Sequence, residues 1–166
     1  MGLSGQNSMR QSPILHGLTI TKEIPTSLDV RQLIQLLDES QVHLYPAESN
    51  HLTPVERLCA ETVTFLVARI SGQAVGCGAY LIEPGYGEIK RMFVLSEFRG
   101  KGIGQRILVE LEARMRAVGL TLVRLETGVR QPEALGLYAS AGYRQRGPFG
   151  NYSEDPWSVF LEKSLQ

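Results

Sequence analysis

Apolar and polar positions alternate along "HGLTITKEI", the pattern of a strand with one wet face. After Pro25 the period changes. In "SLDVRQLIQLLDESQ" the residues Leu28, Leu33, Leu36 and Leu37 approximate a helical stripe, and Ser27 is placed to cap its start. "YPAESNHLTP" breaks the pattern with polar residues, and a short helix is expected from Pro54 to Ala60. "TVTFLVARI" and "QAVGCGAYLIE" read as strands joined by Ser71-Gly72, a hairpin signal. "GEIKRMFVL" is a third strand beyond the turn at Pro84-Gly85.

From Ile103 the pattern is helical. Ile103, Ile107, Leu111 and Met115 recur at helical spacing and Leu108 widens the stripe. Glu110–Arg114 and Glu112–Arg116 form i,i+4 pairs expected on the outer face, and Gly119 ends the helix. "LTLVRLET" is a strand. "QPEALGLYASAGY" is a helix with Pro132 at its first position and Gly142 just past its end. "YRQRGPF" and "WSVFLEKSL" close the chain as strands. The order βααβββαβαβ(β) describes one mixed α/β domain over residues 16–166, preceded by a loose leader over residues 1–15, with no internal repeat.

Composition narrows the function classes. Hydrophobic residues make up 43% of the chain and charged ones 20%, as in ordinary globular proteins. Seventeen basic residues balance seventeen acidic ones, which leaves no electrostatic case for nucleic acid or anionic membranes. Cys59 and Cys77 match no metal spacing and are expected to be buried, reduced thiols. No run is long and apolar enough to span a bilayer, and no signal-like core opens the chain, so the cytoplasm is the expected location.

One stretch departs from ordinary composition. In "RMFVLSEFRGKGIGQRILVELEARM" an apolar strand runs into Arg99-Gly100-Lys101-Gly102-Ile103-Gly104 and a helix begins at once. A helix N-terminus presents unpaired N–H groups and the positive end of the helix dipole. Glycines there allow an anion close approach, and Arg99 and Lys101 add charge. The spacing is neither a P-loop nor a dinucleotide fingerprint. Taken alone, the glycines could also form a plain strand-to-helix turn, the lesser of the two readings.

With its surroundings the stretch resembles motif A of the GNAT superfamily, the Gcn5-related N-acetyltransferases, whose signature is [RQ]-x-x-G-x-[GA]. Arg99, Gly102 and Gly104 occupy the signature positions. The strand "LVRLETG" and helix "QPEALGLYASAGY" are similar to the family's second motif, with Ala134, Tyr138, Gly142 and Tyr143 in place and Gln131 where asparagine is usual. The likeness is strong over residues 62–145, and "YPAESNH", "GEIKRMFV" and "GPFGNY" resemble a bacterial branch of small acetyltransferases. The resemblance implies the GNAT fold, a mixed sheet splayed between the strands before and after the CoA-binding helix. It also implies acetyl-CoA as cosubstrate and CoA as product. The pyrophosphate would lie on the N–H groups from Arg99 through Gly104, with Gln105 in the same turn. The pantetheine arm would pair with Met92, Phe93 and Val94. Gln131, Ala134 and Tyr138 would flank the thioester end.

Such chemistry needs two proton handlers. An alkylammonium with a pKa near ~10.4 must lose a proton before it can attack. Glu126 and Glu88, at strand ends beside the splay, compete for that role, with Glu126 ahead and a water relay through both left open. Tyr138 stands where the family places the proton donor to the leaving sulfur; its plain reading is a packed core tyrosine. Glu48, Ser49 and Asn50 of "ESNH" are candidates for the acceptor pocket, or for caps. Arg91 and Arg130 could meet an acidic acceptor, though both read first as solvated surface cations, and Trp157 as a packing residue. His16 and His43 lack metal-like partners. The implied partner is a small-molecule amine, with a homodimer left open. A non-catalytic CoA-binding module and a protein acetyltransferase are the alternatives.

Overall fold

The computed structural model describes residues 15–166, so the expected leader lies outside the described residues except for Leu15. Seven strands form one sheet: β1 (Leu18–Lys22), β2 (Val63–Ile70), β3 (Gln73–Glu83), β4 (Tyr86–Val94), β5 (Leu122–Gly128), β6 (Arg144–Arg146) and β7 (Ser158–Ser164), in the spatial order β1-β2-β3-β4-β5-β7-β6. Helices α1 (Leu28–Leu44) and α2 (Val55–Leu58) pack on one face, and α3 (Ile103–Ala117) and α4 (Pro132–Ser140) on the other. This is the expected element order. Ser71 and Gly72 both adopt positive φ, as the predicted hairpin requires.

The stripe of α1 differs from the expectation. Its buried residues are Val30, Leu33, Ile34 and Leu37, whereas Leu28 is 74% and Leu36 46% exposed. Positions 30, 33, 34 and 37 follow the i, i+3, i+4, i+7 spacing of one helical face, and the two exposed leucines fall on another arc. Ser27 does sit at the N-cap, but its hydroxyl donates to Asp29 Oδ1 at 2.8 Å and caps no helix amide.

Helix α3 buries the whole predicted stripe, from Ile103 through Met115. It lies close to the sheet because Gly78 has no side chain: a Cβ there would stand 2.8 Å from Ile107 and 2.6 Å from the Met92 sulfur. Glu110–Arg114 is an outer-face pair at 2.8 Å, as expected. Glu112 pairs with Arg116 at 3.8 Å, as expected, but it is not on the outer face. Its carboxylate is buried and accepts from Tyr143 Oη at 2.9 Å and Lys163 Nζ at 2.9 Å. Removing it would strand a phenol and an ammonium, so Glu112→Ala should cost about 2–4 kcal/mol, read as a fall in denaturant midpoint. The cysteines also divide differently from the expectation: Cys77 is buried, but Cys59 lies on the exposed end of α2.

Candidate active site

Among the described residues, strands β4 and β5 are the only parallel pair, and they pair only from Gly87–Ile89 to Val123–Leu125. Beyond Ile89 and Leu125 they diverge and leave a slot through the sheet. A bulge in β4 drives the divergence. The β3–β4 register shifts between Cys77 and Ala79, where Arg91 adopts φ 60. That backbone is strained for a residue with a side chain, and it is held from outside. Arg91 Nε donates to the Thr53 carbonyl at 3.1 Å, and its terminal nitrogens donate to Thr53 and to Asp38 on α1. Arg91 is therefore no solvated cation, and its donors are already committed to the protein rather than open to an acidic acceptor.

The slot joins the two faces of the sheet. Glu88 registers with Arg124, so Glu126, two residues further on, shares its face, the α1 side. Tyr138 reaches the same cavity from α4, with its ring in the core beneath α3. Glu126 is largely buried and accepts from Ser158 Oγ at 2.8 Å. Burial raises its carboxyl pKa, while Ser158 and the neighbouring His51 and Lys90 pull the other way. The Tyr138 ring packs edge-on against Tyr143 at 5.5 Å, and its hydroxyl has no hydrogen-bond partner among the described residues. Burial, then the Glu126 charge, raises the phenol pKa. The phenol thus stays protonated and faces open space.

Glu88 lies apart from this pair. It is 6% exposed, accepts from Tyr152 Oη at 2.6 Å, and lines a second cavity that meets the first at His51, Leu52 and Lys90. Lys90 completes a chain by donating to the Tyr152 oxygen. Of the loop candidates, Ser49 is buried and lines the slot cavity, whereas Glu48 is exposed and lines neither cavity. Asn50 braces the loop, donating from Nδ2 to the carbonyls of Tyr45 and Pro46, each at 3.3 Å.

Among the wall residues, Tyr45 is the one the sequence did not single out, and Gln131, Trp157 and Arg130 make contacts it did not indicate. Tyr45 Oη accepts from the Arg130 amide at 3.0 Å and stands so close to Gly128 that any Cβ there would overlap it. Gln131 Oε1 accepts from the Gly128 amide at 3.2 Å, so the residue in the usual asparagine position ties its own loop. Trp157 is more than a packing residue: it lines the cavity, meets Tyr45 edge-on at 6.4 Å and lies under Arg130 at 4.4 Å. Arg130 is exposed, as expected of a surface cation, but its Nη1 is tied to the Leu44 carbonyl at 3.1 Å. A sequence gives little warning of these contacts, because they join three separate segments.

At the far end of β4 the glycine stretch opens α3. The Arg99 amide donates to the Ser96 carbonyl at 3.3 Å, so the free donors begin one residue later than expected. The amides of residues 100–105 meet no backbone carbonyl among the described residues. Gly100 and Gly102 take φ of 72 and 82, which favours glycine, whereas a Cβ at Gly104 would make only ordinary contact with Leu137 at 3.5 Å. Arg99 Nε is held by the Val94 carbonyl at 2.9 Å and Lys101 Nζ by the Glu97 carbonyl at 3.0 Å. Ile103 anchors the turn in the core. Gln105 is exposed in the first helical turn. Between cradle and slot, Phe93 and Val94 pair with β3 on one edge of β4, while on its other edge no β4 residue past Ile89 pairs with β5.

The profile of the acetyltransferase (GNAT) family matches residues 30–143. The chain is 51% identical over 150 residues to an IAA acetyltransferase of Azospirillum brasilense, covering 89% of this chain and 98% of that one. A crystal structure of a Klebsiella pneumoniae protein, assigned as an acyl-CoA N-acyltransferase, superposes with a TM-score of 0.77 at 38% identity, over 90% of this chain and 98% of the other. In fold the chain also matches a GNAT acetyltransferase of Elizabethkingia anophelis with acetyl-CoA bound, at a TM-score of 0.65 and 20% identity, covering 89% and 98% of the two chains. Free amides at a helix start, a splayed parallel pair and this family match converge on one conclusion: the chain belongs to the GNAT family and is an acyltransferase that takes its acetyl group from acetyl-CoA.

Proposed function

We propose that the protein N-acetylates a primary amine of a small molecule, which attacks directly in a ternary complex, with Glu126 as base and Tyr138 as acid. One observation carries this reading. Across the slot, a largely buried carboxylate of raised pKa shares a cavity with a phenol whose hydroxyl is unpaired among the described residues. The residues present fit acetyl-CoA. The unpaired edge of β4 at Met92–Val94 would receive its amide-bearing arm, and the free amides of residues 100–105 would receive its pyrophosphate. Gln131 and Ala134 would flank the reactive end.

Bound there, acetyl-CoA supplies an activated acetyl group, and the chain supplies proton management. Glu126 takes the proton of the incoming ammonium, directly or through one water. Its raised pKa narrows the gap to the amine and makes it a stronger base than a solvated carboxylate. Tyr138 holds its proton until the departing sulfur needs one. Tyr45, Trp157 and Ser49 wall the acceptor side. Cavities of about 100 and 300 Å³, backed by the segment Gly150–Tyr152, suit a small molecule better than a protein tail.

Tyr138→Phe tests this reading, because it keeps the packing against Tyr143 and removes one hydroxyl. Thiol release should slow about 10²-fold or more. The dissociation constant of CoA should stay near wild type. Undiminished turnover would return Tyr138 to the core and remove the acid from the mechanism.

A further inference from the structure

We infer that the two cavity carboxylates serve two different nitrogens of one acceptor, so that the preferred acceptor is a diamine. This rests on the proposed function, since it takes Glu126 as the group that meets the reacting amine. Glu88 is more than nine-tenths buried, and both of its neighbours use one oxygen: Tyr152 Oη donates to Oε1 at 2.6 Å, and Lys90 Nζ lies 3.4 Å from Oε1. The other oxygen, Oε2, has no partner among the described residues, yet it is not sealed from solvent. Glu88 lines the second cavity, of about 300 Å³. A buried carboxylate oxygen left open toward a cavity this size is built to accept from an N–H donor.

Charge selects the kind of donor. Glu126 and Glu88 line the joined cavities and Asp155 lies behind His51, against Lys90 and Arg91, whose charge Asp38 already meets. Arg57 is mostly solvent-exposed and lies 3.6 Å from Glu83, so that pair contributes little. His51, 3.9 Å from Asp155, lies at the junction of the cavities. The balance is negative, which favours an acceptor entering with two positive charges over one carrying a carboxylate. The spacing also suits a short diamine. Glu88 and Glu126 point to one face, one strand and two residues apart, so regular strand spacing sets their Cα separation at roughly 8 Å and the splay beyond Leu125 widens it.

The test is a matched acceptor panel with the wild-type enzyme: diaminobutane and diaminohexane against butylamine, aminobutanol and aminobutyrate, followed by thiol release. The diamines should exceed butylamine in kcat/KM by about tenfold or more, chiefly through KM, as expected when a charge-assisted hydrogen bond is added. In Glu88→Gln, whose amide can still accept from Tyr152, that ratio should collapse toward one. Equal use of butylamine and diamines, or preference for aminobutyrate, would overturn the inference while leaving amine acetylation intact. A ratio unchanged in Glu88→Gln would also overturn it. Thiol release with none of these amines would remove the proposed function as well.

Discussion

Acetyl-CoA at a hundredfold its dissociation constant should stabilise the wild-type protein by about 2.7 kcal/mol, a rise in Tm of roughly 5–10 °C. Gly104→Val and Gly102→Asp should each abolish that rise. The two variants fail for different reasons. Gly104 has no positive φ, and a Cβ there meets only ordinary contacts, so the fold does not require glycine at this position. Valine should leave the ligand-free Tm close to wild type while its methyl groups cover the amides of the first helical turn. Gly102 caps α3 with φ 82 and has open space around it. Aspartate there adds some backbone strain and, more importantly, a negative charge where a pyrophosphate should bind. Differential scanning fluorimetry with and without acetyl-CoA checks both. A ligand-induced rise that survives in Gly104→Val would move the phosphate site away from the start of α3.

The cradle was legible in the sequence because its determinants are local. Strand, glycines, cations and helical stripe lie within residues 91–115, and each follows from backbone sterics or helical period. Element order was legible for the same reason. The α1 stripe was misread because leucines alone were counted: Val30 and Ile34 complete the buried face, and Leu28 and Leu36 do not belong to it. The Glu112–Arg116 pair forms, but its burial was not legible, because an i,i+4 spacing does not say which arc of the helix the pair occupies, and its further partners Tyr143 and Lys163 lie far along the chain. The slot walls were illegible for a stronger version of that reason. Tyr45, Lys90, Tyr152 and Trp157 come together only once α1, β4 and the segment before β7 are packed. The commitment of Arg91 to Asp38 and Thr53 depends on a bulge that no residue pattern announces.

The second large effect is expected at Glu126, and it runs in opposite directions for activity and stability. Burial raises its pKa in the folded protein relative to the unfolded chain. The folded state therefore binds that proton more tightly, and the associated stability is present below the unfolded pKa and lost as pH rises through the folded one. At neutral pH the ionised, buried carboxylate destabilises the fold. Glu126→Gln keeps an oxygen to accept from Ser158 and removes the charge, so it should raise the Tm at neutral pH. The gain should shrink as pH falls through and below the carboxylate range.

Activity should fall in the same variant that gains stability. Without a base, the acceptor must shed its proton to water, and an alkylammonium with a pKa near ~10.4 is almost wholly protonated at neutral pH. The loss in kcat/KM should thus be greatest near neutrality, about 10²-fold or more, and should diminish as pH rises. The most direct measurement is the pH profile of thiol release for wild type and Glu126→Gln, each with saturating acetyl-CoA and one fixed amine. The proposed mechanism predicts two curves far apart near neutrality that converge toward alkaline pH. Curves that run parallel across the whole range, or that coincide, would contradict Glu126 as the base.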